Sequence, residues 1–139
     1  MNTLNLDQKA AQFAQTVVKN AKSVSGISKP IDTLERLVTK TLGVLQEQGV
    51  YAMMLFLYSR TSDEQKIAPA VRAQLFEAVK ALPKFAANDF VPNNGAKAEA
   101  ALQFYSEHIL QDLDTLLLVR DLYEQTLIYA RFGAKAEGK

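Results

Sequence analysis

Cysteine and tryptophan are absent from this chain, histidine occurs once, and there are only four prolines and six glycines in 139 residues. Without cysteine there can be no disulfide, no thiolate nucleophile and no sulfur ligand. With His108 as the lone imidazole, the usual zinc and iron–sulfur ligand sets cannot be assembled, so no cofactor is expected. An excess of one charge is missing too: the net charge is +1, which excludes a free-standing binder that holds nucleic acid by massed lysine and arginine. The apolar run from Tyr51 to Tyr58 is eight residues long, far short of the roughly 20 that a membrane span needs. The opening MNTLNLDQKAAQF has no basic region followed by an apolar core, so neither a signal nor a transit peptide is indicated and a cytoplasmic protein is expected.

What is present is the composition of a globular protein, 48% hydrophobic and 22% charged. A chain of this size buries roughly 68 to 70% of its unfolded surface, enough for one domain over 1–139 with no staples. Its charge is uneven. Residues 1–60 hold seven lysines and arginines against four acids, whereas 61–139 hold nine against eleven. A molecule with a basic and an acidic side can stack against copies of itself or lay one face on a phosphate backbone; ordinary charge scatter is the alternative.

Apolar spacing is helical throughout. Leu6, Ala10, Phe13, Val17, Ala21 and Val24 recur by threes and fours behind an Asn5/Gln8 capping pair, predicting a first helix over 5–24. Gly26 ends that segment and Pro30 opens a second, about 31–46, with Leu34, Leu37, Val38, Leu42 and Leu45 on one stripe. Arg36 and Lys40 stand four residues apart on another face, a like-charge pair either facing an anion or simply solvated. After Gly49, the run to Ser59 reads as a buried third helix. A fourth is expected over 68–82, with Pro69 near its start, and 83–95 as a long loop pinned by Phe85, Phe90 and Val91. From Ala96 to about Ala134 the spacing is helical again. One helix of that length would be about 57 Å, too long for the domain, so a break at Gln111 and Asp112 is expected. Residues 1–4 and 134–139 should fray. The sum is an all-α compact bundle of five to six helices with no sheet.

Catalytic groups are sparse. His108 and Asp112 share a helical face, but two ligands make no metal site, and di-iron bundles need two Glu-x-x-His motifs. Asp112, Asp114 and Asp121 do not gather at one point, and caps or surface ion pairs explain them. Phosphate loops and nucleophile elbows do not occur, so an enzyme is not expected. Tyr51, Tyr58, Tyr105, Tyr123, Tyr129, Phe56, Phe104 and Phe132 could stack on bases, though most fall on apolar stripes and read as core; Tyr58 with Arg60, and Phe132 with Arg131 and Lys135, are the two aromatic–basic juxtapositions.

The segment LGVLQEQGVYAMMLFLYSR, Leu42 to Arg60, resembles the signature of the small helical subunit of Cmr-type (type III-B) CRISPR effector complexes: an amphipathic helix, a Gln48/Gly49 bend, and a buried helix ending in Ser59 and Arg60. QKAAQFAQTVV, Gln8 to Val18, is similar to that family's alanine-rich first helix, and LVRDLYEQTLIYARFGAKA, Leu118 to Ala136, to its closing helix. Gly133 departs from the family's preference for a helix former, and the loop from Phe85 to Gly95 is longer than usual there. The resemblance implies a non-catalytic subunit that stacks in copies beside the backbone and large subunits and lays a basic face on guide RNA and target RNA. Arg60, Arg131 and Lys135 are the contacts implied by matched positions; Lys9, Lys19 and Arg120 join them by exposed helical placement. The equivalent Csm-type (type III-A) subunit is the near rival, and a helical adaptor or homo-oligomeric scaffold without nucleic-acid binding is the alternative of a different class.

Overall fold

The computed structural model describes residues 5–86, 91–93 and 95–137. Among them are six α-helices and one π-helical turn, with no strand, so the all-α bundle expected from spacing is what forms. In chain order these are α1 (Leu6–Lys22), α2 (Pro30–Gln48), α3 (Val50–Tyr58), α4 (Ser62–Lys80), α5 (Ala98–Phe104) running into a π-turn (Tyr105–Ile109), and α6 (Leu113–Glu137).

The ends of these helices follow local chemistry. The Asn5 side chain accepts the Gln8 backbone N–H at 3.0 Å, and Lys19 and Lys22 sit in the last turn of α1, where the helix dipole favours cations. Gly49 separates α2 from α3 at φ +98°, a left-handed value that glycine adopts without Cβ strain. It closes one helix by donating to the Leu45 carbonyl and opens the next by accepting from Met53, both at 3.0 Å.

Leu34, Leu37, Leu45, Met53, Met54, Leu57, Ile67, Leu75 and Val119 are fully buried in one cluster to which all six helices contribute. The apolar third helix is central, as its composition predicts, with Met53 and Met54 at 0% exposure. Helix α1 packs on α6 and on α4, while α2 packs on α6 and α3. Contacts of Asp7 with Tyr129 and of Lys22 with Glu137 show that α1 and α6 run in the same direction and finish together.

Three expectations need correction. Helix α4 begins at Ser62, six residues ahead of the predicted start, and Pro69 lies inside it. Asp63 and Glu64 complement the dipole of the first turn, and burial of Ile67 and Ala68 holds the turn that proline alone would discourage. Residues 134–137 do not fray: Ala134 is fully buried and Glu137 is bonded to Lys22 at 2.6 Å. The last long segment breaks where Gln111 and Asp112 suggested, but the turn before the break is π-helical, which spacing did not reveal. In the loop, Phe85 and Val91 are buried as expected; Phe90 and the expected fraying at 1–4 and 138–139 lie outside the described residues.

Candidate nucleic-acid interface

The six cations singled out by sequence have different surroundings. Arg60 is committed internally. Its Nε donates to the Phe56 carbonyl at 3.0 Å, Nη1 meets the Glu64 carboxylate at 3.2 Å, Nη2 donates to Ser59 Oγ, and the guanidinium lies 3.7 Å above the Phe56 ring. That is a cationic cap on the last carbonyls of α3. Arg120 plays a like part for α2, donating from Nη2 to the Gln46 carbonyl at 3.1 Å.

Arg131 is half-buried, and its Nε is shielded from solvent without a hydrogen-bond partner among the described residues. Lys135, one turn further on the same flank of α6, is exposed. Lys19 is exposed on α1, and Lys9 is partly buried on the flank that carries Gln12, Phe13 and Thr16 toward α4. Lys9, Lys19 and Lys135 have no polar partner among the described residues.

Because α1 and α6 end together, Lys19 and Lys135 come to the same end of the bundle, where Lys22 pairs with Glu137. Lys9 is about 15 Å back along α1, and Arg120 about 22 Å back along α6, by the helical rise. Arg60 stands at the α3–α4 corner. The structure therefore places two of the six, Lys19 and Lys135, at one end of the bundle without polar partners among the described residues, with Arg131 one turn before Lys135 on α6.

Between the two helices runs an open groove of about 690 Å³, floored by Ala11, Ala14, Val18, Tyr129, Gly133 and Ala136, with Lys19 and Lys22 along one edge. Small side chains make this possible: a Cβ on Gly133 would stand 3.2 Å from Val18 Cγ2. At the far end the Tyr129 hydroxyl donates to the Asp7 carboxylate, and that bond is the main reason the Tyr129 phenol is raised above its ordinary value. Phe132, the residue before Gly133, is 61% exposed, unlike Tyr105, Tyr123 and Phe104, which are core as their spacing suggested.

Of the acids considered for chemistry, Asp112 serves the fold, whereas Asp114 and Asp121 are exposed and in no ion pair among the described residues, contrary to the surface pairing expected for them. Asp112 caps α6: it accepts from Thr115 Oγ at 2.6 Å and from Lys84 Nζ at 3.1 Å, and these two partners hold its carboxyl below the usual range. His108 stacks on Phe104 with ring centres 5.6 Å apart. Among the described residues no group of three or more His, Cys, Asp or Glu could hold a metal ion. None of their helices is long and apolar enough to cross a membrane.

Sequence reasoning missed the Lys84–Asp112–Thr115 network and the groove itself. The first needed knowledge of where the loop after α4 folds back. A signal for the second was present in the small residues Ala11, Ala14, Gly133 and Ala136, spaced three apart on each helix. Comparison of the chain with family models, curated proteins and solved structures finds no match.

Proposed function

We propose that this protein is a non-catalytic small subunit of a type III CRISPR RNA-guided effector complex, stacking in copies and touching the guide and target RNA backbone through the basic end of α1 and α6. One observation carries the reading: Lys19 and Lys135 stand on neighbouring helix ends with unpartnered ammonium groups, beside Lys22 and the exposed Phe132 ring. Free cations without a shaped pocket suit phosphodiester oxygens, whose attraction is independent of sequence. The closing-helix resemblance covers this same end, from Leu118 to Ala136. Repetition along one RNA turns a few weak contacts per copy into useful affinity.

The cations then divide by role. Lys19 and Lys135 contact phosphate, Arg131 supports them from one turn behind, and Lys9 adds an outlying charge. Arg60 and Arg120 act on the fold, through the carbonyls they cap.

The test is RNA binding by the reassembled complex across a salt series. Lys19→Ala with Lys135→Ala should weaken binding and lower the slope of log affinity against log salt by about 0.7 to 0.9 for each phosphate that a copy no longer neutralises. Arg60→Ala should lower the melting temperature and leave the slope alone. An unaltered slope in the double lysine variant sinks the phosphate reading. A second reading, a helical adaptor without nucleic-acid binding, is favoured by the exposed leucines of α6; it predicts normal assembly with an RNA affinity indifferent to both lysines.

A further inference from the structure

Seven large hydrophobic side chains are strongly exposed among the described residues, and four of them, Leu113, Leu117, Leu118 and Phe132, lie on α6. Helical spacing puts Leu113, Leu117, Asp121, Ile128, Phe132 and Lys135 on one outward stripe, at intervals of four, four, seven, four and three. Asp114 borders it one residue from Leu113. Charge along this stripe is ordered: Asp114 and Asp121, both exposed and in no ion pair among the described residues, occupy the first half, and Lys135 the second.

An order that runs from acid to base along one helix complements itself only when reversed. We infer that the outward face of α6 is a two-fold interface, on which α6 of a second copy of this chain lies antiparallel. An axis passing between Glu124 and Gln125 sets Asp114 opposite Lys135 of the other copy, Leu117 opposite Phe132, and Leu113 opposite Ala136, each pair occurring twice. A parallel arrangement would set acid against acid and leave Phe132 facing its own copy, with the leucines unpaired to it. The face is long enough, since the 25 residues of α6 extend about 37 Å. Leucine and phenylalanine contacts provide the attraction, and the exposed charge pairs fix direction and register. Closed two-fold pairing is also the commonest symmetry of homo-oligomers.

The pairing does not need RNA. It meets the function proposed above at Lys135, which cannot hold Asp114 of another copy and a phosphate together; RNA is then a competitor of the dimer, and that competition alone rests on the RNA reading.

Sedimentation equilibrium of the purified full chain without RNA tests the interface. The wild type should approach twice the 15.4 kDa of one chain as concentration rises. Asp114→Lys and Lys135→Asp should each weaken dimerisation by at least about tenfold, because each removes two pairs per dimer and creates two repulsive ones. The combined D114K/K135D variant should recover it, and Phe132→Glu should give monomer with an unchanged thermal melt. A monomer at every concentration, open-ended larger species, or a double variant no tighter than the singles overturns the two-fold pairing. Adding RNA to the wild-type dimer separates the two readings: dissociation supports both, whereas a dimer indifferent to RNA keeps the interface and removes Lys135 from phosphate contact.

Discussion

Tyr105 and Tyr123 meet hydroxyl to hydroxyl at 2.5 Å, with both side chains fully buried and their rings edge to face. Burial raises both phenols above their ordinary value, so each stays a neutral hydroxyl with its partner as the hydrogen-bonding group in reach. The contact ties the π-turn to the middle of α6. Tyr105→Phe or Tyr123→Phe should each cost about 1 to 3 kcal/mol, the penalty for an orphaned buried hydroxyl. The double variant should lose less than the sum, because no polar atom is stranded. Urea titration of the four proteins reads this directly, and strict additivity would mean that the hydroxyls are not coupled.

Acid stability should depend on Glu64. Burial works to raise its carboxyl, but hydrogen bonds from Lys40 at 2.9 Å and Arg60 at 3.2 Å outweigh that and hold it below its ordinary 4.5. A carboxyl depressed on folding stabilises the fold above its unfolded value and ceases to do so as pH falls through the folded one. Stability should therefore drop below about pH 4.5, with Asp112 adding to the loss further down, since Thr115 and Lys84 depress it as well. Glu64→Gln should cost about 1 kcal/mol at neutral pH and flatten the upper part of the acid limb. An acid limb of unchanged shape in that variant would assign the effect to other carboxylates.

Gly133 sets the approach of α1 to α6. Its Cβ position lies 3.2 Å from Val18 Cγ2, so Gly133→Leu should overpack the seam and cost about 1 to 3 kcal/mol. Adding Val18→Ala should return part of that stability. The paired melting curves decide it; tolerance of leucine alone would mean that the helices separate freely.

Pro69 interrupts the hydrogen-bond ladder of α4 in its interior. Pro69→Ala restores the missing donor and should stabilise by about 1 to 3 kcal/mol. Destabilisation instead would show that the packing of Ala68 and Val71 depends on proline at this position.

Helix positions were legible because burial in a bundle imprints a period on sequence. The Asn5 cap, Pro30, Gly49 and the apolar third helix all sit where local chemistry put them. The start of α4 was not legible, since proline normally belongs to a first turn and only the buried Ile67 and Ala68 preserve a turn ahead of it. The π-turn escaped too, because one additional residue in a helical turn leaves the apolar count almost unchanged.

For the candidate site, residue type predicted which side chains could meet phosphate but not which were free to. Arg60 and Lys135 are both cations at helix ends in the sequence. The fold gives Arg60 the Phe56 carbonyl and Glu64, while Lys135 is left facing solvent.

Sequence alone determined the all-α class, the central place of α3 and the absence of any disulfide, since periodicity and composition are properties of each segment by itself. Tertiary structure decided that α1 and α6 run side by side, that Lys19 and Lys135 share an end, and that α6 keeps one stripe outside the core. Those depend on which helices lie together, and distance between residues far apart in the chain is set by packing the whole bundle.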